Sequence, residues 1–321
     1  MSGKLGSAGF SVFLVDGYDL LAAKIKTFSH KITALNERSE GLGDSTEAVT
    51  PTGLSRIDLS QGGAFFDDAT TGAHTLLSPA GAPAVSRVLA VAYGGNTIAK
   101  PFIGLSGLYG HTYEVLSQVG ALTKANVDYD ASGILDRGVI LQVQGALTAD
   151  GNGTSVDYTL NPAQRVIPIT SNTLANPSVV TTPVPHGLTT GQVVLISGVA
   201  TSSPTINGER TVTVISTTSF SVPVNVATAG TGGSFVLAST VNGAAAIQAV
   251  SAFSGFSGVV GTIEHSPDDS TWATLITFTT VTTAPVAQRG TSTGTVNRYT
   301  RYVRDVTGSG SYTPFVGFAR G

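Results

Sequence analysis

The residues that could do chemistry in this chain are few and scattered. Its five histidines, His30, His74, His111, His186 and His265, are isolated, and none forms a His-x-x-x-His or Glu-x-x-His metal spacing. Cysteine is absent, which removes thiol nucleophiles, disulfides and Cys-ligated zinc. No Gly-x-Ser-x-Gly elbow occurs. Gly104, Gly107 and Gly110 form a glycine-rich run, but no Lys-Ser/Thr follows, so it reads as a close-packed bend and not a phosphate loop. Asn152-Gly-Thr154 spells a glycosylation sequon, in a chain with no export signal to make it one. Glycosidase work needs two facing carboxylates. The available pairs, Asp67-Asp68, Asp128/Asp130 and Asp268-Asp269, sit beside Gly, Ser or Pro, where Asp commonly bonds its own turn backbone. The expectation is therefore no enzyme, no cofactor and no metal.

A second constellation is Asn297-Arg-Tyr-Thr-Arg-Tyr-Val-Arg304. On a strand, Arg298, Tyr302 and Arg304 would share one face, with Tyr299 and Arg301 on the other. Arginine interleaved with tyrosine can stack nucleic-acid bases or bridge subunits, where both residue types are enriched. The subunit interface is the preferred reading.

Composition bounds the rest. The chain has 321 residues, 12% charged and 41% hydrophobic, with 39 glycines and a net charge of -3. That is too little charge for a disordered polyelectrolyte and too little positive charge for a duplex-DNA binder. The length suggests about two domains. No window approaches the roughly 18 apolar residues of a membrane span, and the short run Phe10 to Val15 is too brief for a secretory signal. The expected compartment is the cytoplasm. Charge is uneven: residues 1–165 carry 11 basic and 15 acidic groups, whereas from Val166 to Ile263 only Glu209 and Arg210 are charged. Such a shift marks the middle as a separate module.

The elements that must position these residues are strands. Val139, Leu141 and Val143 alternate with Ile140, Gln142 and Gln144. Val212 and Val214 alternate with threonines, Phe220, Val222, Val224 and Val226 with polar residues, and Trp272, Ile276 and Phe278 with Ala273, Leu275 and Thr277. Period-2 alternation puts one set on a core face, and Trp272 is expected there because it starts its run. Asp150-Gly-Asn-Gly153, Asn207-Gly208, Gly232-Gly233, Ser266-Pro-Asp-Asp269 and Gly308-Ser-Gly310 punctuate the runs as turns. Short strands with glycine-rich turns mean an all-β sandwich or barrel. Helix is expected at most over Ala69 to Leu77 and Tyr113 to Leu122, the second fitting a strand equally well.

Two stretches then carry a resemblance. Val12-Phe-Leu-Val-Asp-Gly-Tyr-Asp-Leu20, Gly41-Leu-Gly-Asp-Ser-Thr46, Gly53-Leu54 and Gly62-Gly-Ala-Phe-Phe-Asp-Asp68 give a strand, a Gly-Asp-containing loop, and a strand ending in Gly-x-Phe-x-Asp. With Gly261 to Trp272, Ala287-Gln-Arg289, Gly294 to Tyr299 and Phe318-Ala-Arg320, this resembles the tail tube (major tail) proteins of long-tailed bacteriophages over roughly 10–163 and 239–321. Val179-Val-Thr-Thr182, His186 to Val194, Ile196-Ser-Gly198, Ile206-Asn-Gly208 and Thr211 to Ile215 are similar to a small β module inserted in phage tail proteins.

The resemblance implies a tail-tube β-sandwich core, residues 1–163 and 239–321. Residues 164–238 are then an inserted small β-barrel or sandwich on the outer surface, with Tyr158-Thr-Leu160 near Phe235-Val-Leu237 at its base. It implies a structural virion protein, assembled in the host cytoplasm, that forms stacked rings, usually hexameric, around a DNA-conducting bore. Its partners would be itself and other tail proteins such as the tape measure and tail terminator, with DNA passing through unheld. The long segment 36–52, carrying Glu37, Arg38, Glu40, Asp44 and Glu47, would reach the next ring. Arg298, Tyr299, Arg301, Tyr302 and Arg304 would meet the neighbouring subunit. A net acidic bore would draw on Asp58, Asp67, Asp68, Asp128, Asp130 and Asp136. The alternative is a glycan-binding or host-attachment sandwich using Trp272, Tyr299 and Tyr302 as an aromatic platform.

Overall fold

The computed structural model describes residues 11–20, 25–38, 49–66, 74, 77–78, 86–133, 135–160 and 165–321. Within them the protein is all-β. The first part supplies β1 (Val12–Val15), β2 (Tyr18–Asp19), β3 (Thr27–Arg38), β4 (Val49–Phe65), β5 (Arg87–Ala92), β6 (Pro101–Leu116), β7 (Lys124–Ala131), β8 (Leu135–Gln142), β9 (Gly151–Asn152) and β10 (Val156–Asp157). The middle supplies β11 (Ile167–Pro168), β12 (Ser171–Asn172), β13 (Ser178–Thr181), β14 (Val193–Ser197), β15 (Gly208–Thr211), β16 (Thr213–Ser216), β17 (Ser219–Val222) and β18 (Ser234–Leu237). The last part adds β19 (Ala244–Ser266), β20 (Ala273–Thr277), β21 (Val286–Ser292) and β22 (Tyr299–Arg320).

Strands from the two ends of the chain share one antiparallel sheet, whose main path runs β2-β1-β5-β6-β8-β22-β19-β20. β1 shows why it begins with an unbroken apolar run. Phe13 and Val15 enter one core with Leu89, Leu105 and Tyr129, while Val12 and Leu14 enter another with Ala90, Phe102 and Ile247. A strand covered on both faces cannot alternate with polar residues. Phe102 also dictates its neighbours: a Cβ at Gly104 or Gly317 would stand 2.4 Å from its ring.

Two short sheets, β11-β18-β14-β15 and β12-β13-β17-β16, lie wholly within 167–237. The chain passes between them four times, most abruptly at Ile169-Thr170 and at Val212. Their inner faces share one core, with Val180, Val194, Ile196, Phe220 and Phe235 at its centre. This is a sandwich and not a closed barrel. Its base is the pairing of Ile167 with Phe235, and Tyr158 meets Phe235 and Leu237 across a small cavity.

Several expectations change. Tyr113 to Leu116 belong to β6, so no helix spans 113–122: the register with β7 captures these residues. His74 and Leu77 are helical, and the rest of 69–77 lies outside the described residues. The Gly104–Gly110 run is strand with register shifts and not a bend, because Gly107 and the Gly110/Thr112 shift let β6 pass from β5 and β8 to β7. The ladder takes up both ends of the long segment 36–52, with Asn36 opposite Pro51 and Arg38 opposite Val49, and 39–48 lie outside the described residues. Glu40, Asp44 and Glu47 fall outside the described residues, while Glu37 and Arg38 close β3.

Candidate subunit interface

The side chains singled out for chemistry are committed to structure. His30 Nδ1 lies 3.0 Å from the Tyr93 hydroxyl, and His74 Nδ1 lies 2.6 Å from that of Tyr113. His111 faces Asp130, His186 accepts the Leu188 N–H, and His265 accepts that of Asn297. Among the described residues, no group of three His, Cys, Asp or Glu could hold a metal ion. Asp268 accepts the N–H groups of Thr271 and Ser270, which hold its carboxyl well below the usual carboxylate range. It is a turn residue, as its Ser-Pro-Asp-Asp setting indicates.

The arginine–tyrosine cluster binds its own chain. Arg298 grips Asp157 through Nε at 2.9 Å and Nη2 at 2.6 Å, and reaches Glu209 of the middle module at 2.8 Å. Arg301 pairs with Glu264 at 2.7 Å and lies over the Trp272 ring, 4.0 Å from its centre. Arg304 donates to the Ala149 carbonyl. Tyr302 is fully buried, donating to Gln248 Oε1 at 3.1 Å, which corrects its place at a subunit interface. Trp272 is corrected in the other direction: it precedes β20, half-buried, because Arg301 and not the core receives its ring. Trp272, Tyr299 and Tyr302 therefore do not form one exposed platform.

Among the described residues, the surface that stands open is elsewhere. β3, β4, β7 and the second half of β6 form a four-stranded antiparallel stretch, in that order. Among the described residues, β3 pairs with β4 alone. At the other end, Tyr109 to Leu116 of β6 pair with β7, whereas pairing with β5 ends, among the described residues, at Leu108 opposite Arg87. β3 and β6 run in opposite senses, as alternate pairing along four antiparallel strands requires. Open backbone edges of this length are templates for pairing with another chain.

The two faces differ. Ile57, Leu59, Val127 and Tyr129 lie on the core side, and its continuation toward the ends leaves Ile32 and Val115 each 44% exposed. The end of β6 and the β6–β7 turn add Leu116, Val119 and Leu122 to the exposed apolar set. The other face is polar. Lys31, Asp58 and Asp130 form one cross-strand row, Ser60, Asp128 and Thr112 the next, and Glu114 bonds Asn126 beside them. Arg56 bridges Asp58 and Asp130. Asp58, Asp128 and Asp130 of the expected acidic set thus share a face. Asp136 does not: it is buried in a two-bond pair with Arg289. Asp67 and Asp68 lie outside the described residues.

Sequence reasoning missed both edges. The signal available was the pair of long polar–apolar alternations around Ile57 and Val127, but their partners are set by pairing and not by spacing. No protein-family model matches the chain, and no curated protein matches it.

Proposed function

We propose that this protein is a structural subunit that polymerises, edge to edge, into rings stacked as the hollow tail tube of a long-tailed bacteriophage. The observation that supports it most is the four-stranded stretch with two open edges of opposite sense. Pairing β3 of one copy with β6 of the next continues the antiparallel order. Such a contact is heterologous, and repeated rotation closes it into a ring, which covers both of these edges. The polar face with Asp58, Asp128, Asp130 and Glu114 then becomes the wall of the bore, and the apolar face turns toward the subunit cores. The module 164–238 sits outside, its docking secured by the Arg298–Glu209 pair. Tape measure, tail terminator and transiting DNA are the partners this reading names.

Negative-stain microscopy of the purified chain tests the proposal. Rings or tubes are expected from the natural sequence, and monomers from Ile32→Lys, a charge on the open edge strand. Discrete particles from the natural chain at every concentration and salt would overturn it.

A further inference from the structure

β6, β8 and β22 lie side by side, and their register lays two rows across one face. Pro101 stands opposite Val139, and Val139 opposite Phe318. Ile103 stands opposite Arg137, and carrying the Phe318–Val139 register two residues further brings Arg320 opposite Arg137. These six side chains line a cavity of about 440 Å³ that Tyr93 and Tyr158 also border. Its lining includes no Asp or Glu.

Like charges directly opposite on a strand pair repel. Arg87, Arg289, Arg298 and Arg301 are each paired with a carboxylate, Asp16, Asp136, Asp157 and Glu264 in turn, whereas Arg165, Arg210 and Arg304 rest on backbone carbonyls. Neither Arg137 nor Arg320 has a carboxylate within ion-pair distance among the described residues. Arg320 gives its Nη groups to the carbonyls of Ala238, Val296 and Arg298 and stacks 3.9 Å from the centre of the Tyr158 ring. Its Nε is buried without an acceptor. Burial pushes the guanidinium down to about 9, and Asp157, the carboxylate that opposes this, is already held by Arg298. Arg137 is exposed, and its guanidinium makes no hydrogen bond to the described residues. A partly buried cation backed by carbonyls, beside an accessible one, is an incomplete charge arrangement.

We propose that this cavity binds a carboxylate carried on an apolar stem, with Arg137 gripping the carboxylate, Arg320 supplying positive charge behind it, and Val139, Phe318 and Ile103 receiving the stem. Guanidinium favours carboxylate through its planar fork, and a mainly apolar pocket of this volume is of ligand-binding size. The carboxylate can come from a free aliphatic or aromatic acid, or from an acidic side chain of a neighbouring copy. The proposal stands independently of the tube reading.

Calorimetric titration of the full chain with hexanoate and with hexanamide, its uncharged counterpart, tests it. Hexanoate is expected to bind one per chain, at least about tenfold tighter than hexanamide, and Arg137→Gln to erase that preference while leaving the melting temperature unchanged. Sedimentation in saturating hexanoate separates the sources. If hexanoate and Arg137→Gln both weaken self-association, the carboxylate belongs to a neighbouring copy; unchanged association with binding intact assigns a free acid. Equal affinity for hexanoate and hexanamide overturns the proposal. Should Arg137→Gln not fold, the comparison on the natural chain decides alone.

Discussion

Asp157 and Arg298 face each other through two parallel hydrogen bonds, 2.9 and 2.6 Å long, 141 residues apart in sequence. The same guanidinium reaches Glu209 at 2.8 Å. One arginine at the start of β22 therefore ties together the strand that leads into the middle module, the module itself and the returning core. Burial alone would raise the Asp157 carboxyl, but hydrogen bonds from Arg298 and Thr159 outweigh it and hold it below 3.8. A depressed carboxyl contributes stability that is complete above its unfolded value and is lost as pH falls through the folded one. Asp157→Asn should therefore lower stability by about 1–3 kcal/mol at pH 7. The difference from the natural chain should shrink in melts taken below pH 3.8, and a constant difference down to pH 2 would refute the account.

Glu209→Gln separates docking from folding. Glu209 is more exposed than Asp157, and exposed ion pairs are worth about 1 kcal/mol or less. The substitution should leave the melting temperature nearly unchanged while loosening the module on the core. Faster proteolysis or amide exchange around 158–166 is the measurement, and unaltered exchange there would count against a docking role.

The module 164–238 should be separable. Its two sheets draw no strand from outside 167–237, and its ends meet where Ile167 pairs with Phe235. Replacing it with a short Gly/Ser link should leave a folded core, because inserts with close ends are tolerated at loop positions. Residues 165–240 alone should unfold cooperatively. A deletion variant that is insoluble, with circular dichroism of an unfolded chain, would contradict this.

Asp16 and Gly17 form a two-residue hairpin between β1 and β2, both in the left-handed region, with φ of 49° and 85°. A Cβ on Gly17 would lie 2.5 Å from the Val250 carbonyl oxygen and from the backbone of Val286. Neither backbone can yield as a side chain could. Gly17→Ala should cost about 3 kcal/mol or more, well beyond the about 1 kcal/mol of an open left-handed position. Chemical denaturation measures it, and a loss under 1 kcal/mol would show that the hairpin is free to move away.

If tubes form, the polar face of β3, β4, β7 and β6 should not hold DNA. Its carboxylates Asp58, Asp128, Asp130 and Glu114 exceed the cations Lys31, Arg56 and Lys124 by one charge. Replacing Asp128 and Asp130 by Lys would add counterion release with each phosphate met. Tubes of that variant should retain duplex DNA in a salt-sensitive manner, and natural tubes should not. Retention by natural tubes at 150 mM salt would place a different surface in the bore.

Alternation of side chains and the punctuation by Gly, Asn and Asp were legible in the sequence, and they are enough to make this protein all-β. The composition shift from Val166 to Ile263 likewise pointed to a segment with its own core, because a sandwich of Val, Phe and Thr needs no charge to fold. Local signals reach that far because pleat and turn chemistry act over a few residues. Tyr302, Trp272 and Asp136 show where they stop. Tyr302 and Arg304 share a strand face, yet one is core and the other reaches the Ala149 carbonyl, since burial depends on what the far strand brings. Trp272 begins an apolar run but rests under Arg301, and Asp136 left the acidic face for Arg289, 153 residues away. The open edges of β3 and β6, and the facing of Arg137 and Arg320, were equally beyond reach. They are facts of strand pairing between distant segments, where one residue of register reverses every side chain.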